Sequence, residues 1–167
     1  MQVINLLTTG GTMEKAYSER SGAVKNVGSK VEQYLKKLRL PDCDVRVTAV
    51  MNKDSLEMTD ADRARIAEEV KKKLAEGFPV VITHGTDTLV TTGMHLKAAL
   101  GGLKSAVVMT GAMTPLGFEG SDGLQNLAEA LMAAKLLQPG IYVVMHGQVF
   151  PVERARKDKE RGTFVSC

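Results

Sequence analysis

The chain has 167 residues, of which 44% are apolar and 25% are charged, and its formal net charge is +3 at pH 7. These values are typical of a single soluble globular domain over residues 1–167, which buries roughly two-thirds of its extended surface on folding. Aromatic residues make up only 4% of the chain and tryptophan is absent, which argues against a nucleic-acid partner bound by base stacking.

Membrane, secreted and metal-binding classes also lack support. No apolar stretch approaches the roughly 20 residues of a membrane span. The first apolar run begins directly after Gln2, without a basic segment or a cleavage site, so we expect no secretory signal and a cytoplasmic protein. Cys43 and Cys167 show no metal-ligand spacing and are expected to be free thiols, and the three histidines are dispersed.

Five apolar, β-branched runs predict strands, and their nearly continuous hydrophobicity is typical of parallel strands covered on both faces. The predicted strands are Val3–Leu7, Val45–Met51, Pro79–Thr83, Ser105–Thr110 and Ile141–His146. Apolar residues at helical spacing predict helices over Ser29–Leu38, Thr59–Leu74, Thr88–Leu100 and Ser121–Leu137. Thr59 is the predicted cap at the start of the second of these helices, and Gly77 follows its end. This alternation predicts one α/β domain, a three-layer α/β/α sandwich around an open, mostly parallel sheet.

Four consecutive predicted strands end in short polar turns, three of them rich in glycine. In chain order these turns are residues 8–12, 52–55, 83–88 and 110–115. Because the carboxyl ends of parallel strands meet at one edge of a sheet, the turns predict a shared crevice. Glycine allows close backbone approach to a ligand, and the backbone N–H groups around Gly11, Thr86 and Ala112 are candidate donors to an oxyanion.

Simpler interpretations exist for the same residues. A nucleotide-binding loop after the first strand would need a third glycine or a Gly-Lys-Ser/Thr sequence, and Met13–Ser18 supplies neither. Capping of the following helix is the alternative role for Thr86 or Asp87. His84, at a strand end, fits a hydrogen-bonded scaffold residue. The mixed charges of residues 153–161 are typical of a solvated segment.

Four motifs, in their order and spacing, resemble those of the bacterial-type L-asparaginases. They are Thr-Thr-Gly-Gly-Thr at 8–12, Thr-His-Gly-Thr-Asp-Thr at 83–88, Thr-Gly-Ala-Met-Thr-Pro at 110–115 and Ser-Asp-Gly-Leu-Gln-Asn-Leu at 121–127. The resemblance spans nearly the whole chain. It implies hydrolysis of L-asparagine to L-aspartate and ammonia without a cofactor, with L-glutamine as a second candidate substrate.

The resemblance also implies roles for individual residues. Thr12 corresponds to the acyl-accepting nucleophile, and Thr86 and Asp87 to the second threonine and its neighbouring carboxylate, which also holds the α-amino group of the substrate. Lys157 falls where the family has its active-site lysine, and Tyr17 corresponds to the tyrosine of its flexible loop.

Further residues are implied in substrate binding. Asp54 and Ser55 resemble the segment that contacts the α-carboxylate end of the substrate, although Asn-Lys-Asp-Ser differs from the common versions. The full implied set is Gly11, Asp54, Ser55, Gly85, Thr86, Asp87 and Ala112. Lys157 can act as a base only when it is neutral, whereas a nearby Asp87 favours the ammonium, so we expect the two to share a proton network with Thr86. The sequence leaves open which threonine attacks first.

One departure from the family is large. The common form carries a second, smaller domain that contributes an acidic residue to the site of a neighbouring protomer, whereas this sequence reaches Cys167 about where the linker would begin. It corresponds either to a short single-domain member or to a form that lacks part of its site. The resemblance implies a homodimer or homotetramer. Two other functions stay open: the ammonia-producing part of an amidotransferase and a non-catalytic amino-acid-binding module.

Overall fold

A computed structural model describes residues 1–28 and 30–167 of the chain. The strands are β1 Gln2–Gly10, β2 Lys15–Ser18, β3 Ala23–Asn26, β4 Cys43–Lys53, β5 Val80–Thr83, β6 Ala106–Thr110, β7 Gly140–Met145, β8 Gln148–Pro151, β9 Ala155–Asp158 and β10 Thr163–Ser166. The α-helices are α1 Lys30–Leu35, α2 Asp60–Ala75, α3 Leu89–Ala99 and α4 Gly123–Leu136. Among these helices, none has the length and apolar character that a membrane crossing requires.

The central sheet has six strands in the order β4-β1-β5-β6-β7-β8. The first five are parallel, and β8 runs antiparallel to β7. The chain goes from β1 to β4 on one side of the sheet and then returns to β5 on the other, so the strand order reverses between β1 and β5. In open α/β sheets the binding crevice lies at the carboxyl ends of the strands at such a reversal. The topology therefore points to the turns that follow β1 and β5.

Helices cover both faces of the sheet, as the continuous hydrophobicity of the strands predicts. In β5, Val80 and Ile82 pack into the apolar cluster that includes α2 and α3, whereas Val81 packs with α1 and α4. All three side chains are fully buried. This alternation follows from the two-residue period of a strand, and it confirms the predicted three-layer α/β/α architecture.

The five predicted strands and four predicted helices all form, with shifted ends. The helix predicted over Ser29–Leu38 is observed over Lys30–Leu35, and Ser29 itself lies outside the described residues. The predicted cap of α2 is confirmed. The Thr59 hydroxyl accepts from the backbone N–H of Asp62 at 3.3 Å, and the Asp62 carboxylate accepts from the backbone N–H of Thr59 at 2.9 Å.

Two antiparallel hairpins, β2–β3 and β9–β10, are not predicted by the sequence pattern. Residues 153–161 are mostly exposed, as interpreted from the sequence, but Ala155–Asp158 within them forms β9, which the pattern does not predict. The physical reason is that β9 and β10 each supply a buried apolar residue, Ala155 and Phe164, to the core. The charged residues of β9 pair through their backbone with β10.

Candidate active site

The turn after β1 is fastened to both neighbouring strands. Thr8 of β1 lies opposite Thr83 of β5 in the parallel ladder. The Thr9 hydroxyl donates to the carbonyl oxygen of Thr83 at 2.8 Å, and the backbone N–H of Gly11 donates to the carbonyl oxygen of Lys53 at 3.0 Å. The first threonine turn therefore has a fixed position relative to the second.

Two glycines let three turns touch. Gly11 has a φ of 79°, and a Cβ atom there would overlap the backbone of Gly85. A Cβ atom at Gly85 would in turn lie 2.6 Å from the side chain of Ser55. Among the backbone N–H groups around Gly11, that of Gly11 itself is bonded to the carbonyl oxygen of Lys53 and is not free to donate to an oxyanion. The role of Gly11 is the close approach of the two turns.

The second threonine turn meets the β9–β10 hairpin through a lysine. The Lys157 ammonium donates to Thr86 Oγ1 at 2.7 Å and to Asp87 Oδ1 at 2.9 Å. Thr86 is buried, and only 18% of the Lys157 side chain is exposed. The ammonium therefore sits between a hydroxyl and a carboxylate, an arrangement that can hold or pass a proton.

Capping of α3 by Thr86 or Asp87, the alternative interpretation, is wrong. The N-cap residue of α3 is Thr88, which makes no side-chain capping bond. Its hydroxyl donates instead to the carbonyl oxygen of Ser55 at 2.9 Å. The Thr86 and Asp87 side chains thus remain available for the contact with Lys157.

Thr12 and Tyr17 lie on the segment that follows the first turn. Thr12 begins a 3₁₀ turn, Thr12–Glu14, and is half-buried. Tyr17 lies in β2, paired with Val24 of β3, and is 59% exposed. The expected loop around Tyr17 is therefore a short hairpin. The structure places Thr12 directly after the Gly11–Gly85 contact and leaves Tyr17 on the surface.

The segment after β4 contributes the carboxylate of Asp54, which is already paired with a lysine, and the buried hydroxyl of Ser55. Asp54 pairs with Lys15 at 2.8 Å and accepts from the backbone N–H of Leu56 at 3.1 Å. The hydrogen bond from Lys15, followed by that from Leu56, lowers the pKa of Asp54 below its usual value. Ser55 is buried against the second threonine turn. Lys15 thus neutralises Asp54 and fastens the β2–β3 hairpin to the sheet edge.

The third turn is held by residues whose role the sequence does not reveal. Ala112 is fully buried, and the backbone N–H groups of Met113 and Thr114 donate to the Asp122 carboxylate at 3.0 Å. Asn126 donates to the carbonyl oxygen of Gly111 and to Asp122, in each case at 2.9 Å. Asp122 and Asn126 both belong to the motif at 121–127, for which the helical pattern predicts only the start of α4. The signal that could have found them is a buried amide one turn after an aspartate.

His84 is a buried scaffold residue. Its Nδ1 lies 2.8 Å from the carbonyl oxygen of Gly85, and its Nε2 lies 2.9 Å from the Thr92 hydroxyl. A carbonyl only accepts, so the proton is on Nδ1 and Nε2 accepts from Thr92. Burial, opposed by the bond to Gly85 and aided by the nearby Arg63, lowers the pKa of His84 from 6.5 to about 4.

We expect His84 to make stability pH-dependent. Below pH 6.5 this histidine is protonated in the unfolded chain, whereas in the folded chain it stays neutral down to about pH 4. The free energy of unfolding therefore falls as the pH decreases through this window, by the order of 3 kcal/mol from this group. Urea unfolding of the wild type and His84→Gln between pH 7 and pH 4 measures the effect. Parallel pH curves for the two proteins would contradict it.

Several concavities of the described residues lie away from the threonine turns. One of about 340 Å³ lies at the opposite edge of the sheet, where Ile4, Pro79 and Ala106 mark the amino ends of β1, β5 and β6. Within residues 1–28 and 30–167, no three His, Cys, Asp or Glu side chains are grouped as metal ligands would be. The groups that meet at the second threonine turn are instead a hydroxyl, an ammonium and a carboxylate.

Comparison with known proteins agrees with this arrangement. A family model described as "Asparaginase, N-terminal" matches residues 3–165. The L-asparaginase of Thermococcus kodakarensis is 31% identical over 152 residues, which are 91% of this chain and 46% of that protein. A component of the glutamyl-tRNA(Gln) amidotransferase of Methanococcus vannielii is 30% identical over 148 residues, 87% of this chain and 34% of that component.

Solved structures show the same likeness. The thermostable L-asparaginase from Thermococcus kodakarensis superposes with a TM-score of 0.89 at 30% identity, covering 99% of this chain and 51% of that one. A probable cytoplasmic L-asparaginase from Campylobacter jejuni gives a TM-score of 0.79 at 28% identity, with 99% and 52% covered. The chain thus spans about half the length, or less, of the proteins that it matches.

Proposed function

This chain belongs to the asparaginase family, and we propose that it is an amidohydrolase that converts L-asparagine to L-aspartate and ammonia through a threonine ester. The observation that carries the proposal is the position of the Lys157 ammonium, within hydrogen-bond distance of both Thr86 and Asp87. The family membership and the contact between Gly11 and Gly85, which brings the turn of Thr12 against that of Thr86, support it further.

In the proposed reaction Thr12 Oγ bonds to the side-chain amide carbon of asparagine. Lys157 first gives a proton to Asp87, and the resulting amine takes the hydroxyl proton through Thr86. The amide nitrogen gains a proton from the same network before its bond to carbon breaks. Ammonia departs and an aspartyl ester of Thr12 remains. Water then adds to the ester carbon, the ester bond breaks, and Thr12 recovers its proton.

Backbone donors stabilise the developing oxyanion in this proposal. The N–H groups of Thr86 and Ala112 are the candidates at the edges of the second and third turns. Each lies in a buried residue, where a fixed donor is worth more than in water. A donor of this kind contributes about 3 kcal/mol to lowering a barrier.

The proposed substrate contacts differ for the two charged groups of the substrate, its α-ammonium and its α-carboxylate. The Asp87 carboxylate, of which 35% is exposed, accepts from the substrate's α-ammonium group. Gly11, Ser55 and Gly85 form the surface beneath the substrate. Asp54 acts through Lys15, because a free carboxylate would repel the substrate's own α-carboxylate.

Ammonia release tests the proposal directly. Purified protein is incubated separately with L-asparagine, L-glutamine and buffer, with Thr12→Ala as the control for contaminating activity. We expect ammonia from asparagine, less from glutamine, and none from the variant. Equal release by wild type and Thr12→Ala, or none by either, would overturn the proposed activity.

A second candidate function is the ammonia-producing part of an amidotransferase. It is favoured by the 30% identity with the amidotransferase component from Methanococcus vannielii. Ammonia release that stays at the background level until a partner protein is added would select this function. Binding of asparagine by calorimetry without any release would select a non-catalytic binding module.

We also propose that the chain self-associates in the cytoplasm, as a homodimer or homotetramer. The apolar side chains of Met132, Leu136 and Val149 are more than 40% exposed along α4 and β8, which supports a covered face. The relative from Campylobacter jejuni, described as cytoplasmic, supports the compartment. We expect light scattering at micromolar concentration to give at least twice the 18.0 kDa mass of the chain. A monomer throughout would contradict the assembly.

A further inference from the structure

A half-buried polar chain outside the proposed catalytic groups joins three separate elements. Asp122, at the start of α4, accepts from His146 Nε2 at 2.6 Å. His146 Nδ1 in turn lies 2.8 Å from the hydroxyl of Thr163 in β10. One end of the chain thus holds the third turn, through the bonds from Met113 and Thr114, and the other end holds the β9–β10 hairpin.

His146 occupies a backbone conformation that is uncommon for its residue type. It has a φ of 53° in the two-residue turn between β7 and β8, and Gly147 beside it has a φ of 73°. Turns of this kind favour asparagine and glycine, since a Cβ atom is strained there. A hydrogen bond from the His146 N–H to Asn126 Oδ1 at 3.1 Å fixes the turn. The imidazole is therefore aimed at both of its partners by the backbone.

The two contacts of His146 survive either charge state of the ring. Asp122 is a carboxylate that accepts, so Nε2 carries a proton. Burial raises the pKa of Asp122, but the bonds from Met113, Thr114 and His146 outweigh it and keep the pKa below its usual value. The Thr163 hydroxyl donates to Nδ1 when that nitrogen is unprotonated and accepts from it when it is protonated. A hydroxyl is the group that serves both cases.

Thr163 lies next to Phe164, the residue that pairs with Lys157 across the hairpin. In the hairpin Thr163 faces Asp158, and the next pair is Phe164 with Lys157. Phe164 is fully buried, so its side chain fixes the depth of β10 in the core. Fixing Thr163 then fixes the register and direction from which Lys157 reaches the second threonine turn.

We propose that Asp122, His146 and Thr163 form a positioning unit that holds the Lys157 ammonium in register with the turns of Thr86 and Ala112. The unit acts on the site proposed above and therefore rests on that proposed function. These residues touch no reacting group. They set where the lysine sits, because they join the hairpin that carries it to the third turn at a point separate from the contacts of Lys157 with Thr86 and of Thr86 with Met113.

The test compares Thr163→Val, which removes only the hydroxyl, with Thr163→Ser, which keeps it. Ser166→Ala, a change of another hydroxyl in the same strand, is the control. We expect Thr163→Val to lower kcat for asparagine roughly 10- to 100-fold, as small displacements of a reacting group do, with KM little changed. Thr163→Ser should restore most of the rate. A loss of thermal stability in Thr163→Val at unchanged kcat would overturn the proposal.

A readout that is independent of activity separates this proposal from the proposed function. The side-chain Cε resonance of Lys157 can be assigned by its loss in Lys157→Arg. We expect Thr163→Val and Asp122→Asn to shift it, and Thr163→Ser and Ser166→Ala to leave it in place. These shifts in a protein that releases no ammonia would overturn the enzyme assignment and keep the positioning unit. An unmoved resonance in Thr163→Val would overturn the unit whether or not the protein is active.

Discussion

We expect Lys157→Met to lower kcat for asparagine by roughly 10²- to 10⁴-fold, the usual contribution of a group that moves protons in the transition state. Methionine preserves the length and much of the apolar stem of the side chain, so the packing against the hairpin is retained. What is lost is the ammonium that lies 2.7 Å from the Thr86 hydroxyl and 2.9 Å from the Asp87 carboxylate. Steady-state kinetics and circular dichroism on the same preparations measure rate and folding together.

The matched control is Lys159→Met, two residues further along the same charged run. Lys159 is exposed, in the turn between β9 and β10. Its replacement changes the net charge by the same amount as Lys157→Met, so the two variants share any general electrostatic effect. We expect Lys159→Met to keep the wild-type rate. Equal losses in both variants would mean that Lys157 acts only through its charge at the surface, and the proton network would be wrong.

The sheet and its helices are predictable because their signals are local. Apolar runs such as Val80–Thr83 are long enough to mark a buried strand, and Thr59 with Asp62 marks the start of α2 within four residues. The reversal of strand order between β1 and β5 is not local. It follows only once the pairing is known, and it is what brings the two threonine turns side by side.

The parts that the sequence does not predict depend on contacts between distant residues. Strand β9 contains one buried apolar residue, Ala155, among charged ones, so its pattern is that of a surface segment. Lys157 lies 71 residues after Thr86, and only a family resemblance joins them in the sequence. In the sequence His146 is only one of three dispersed histidines. Its contact with Asp122 is not predictable, because no neighbouring residue in the chain indicates it.

Exchange of each threonine tests the nucleophile itself. Thr12→Ala and Thr86→Val are each expected to reduce kcat by roughly 10⁴-fold, since groups that act as one unit each cost most of the catalysis when removed. The fold should persist, because Thr12 is half-buried in a turn and valine has nearly the shape of threonine at buried position 86. We expect the free energy of unfolding to change by less than about 1 kcal/mol in each case.

The double variant separates a shared mechanism from two independent ones. If Thr12 bonds to the amide carbon and Thr86 passes its proton, either loss stops the same step, and the double variant is scarcely slower than either single variant. Independent contributions would instead multiply to roughly 10⁸-fold, below any measurable rate. Mass spectrometry after rapid quenching adds the order of events, since the threonine that attacks carries the aspartyl ester. An ester on Thr86, or a Thr12→Ala protein that still accumulates one, would reverse the assignment of the two hydroxyls.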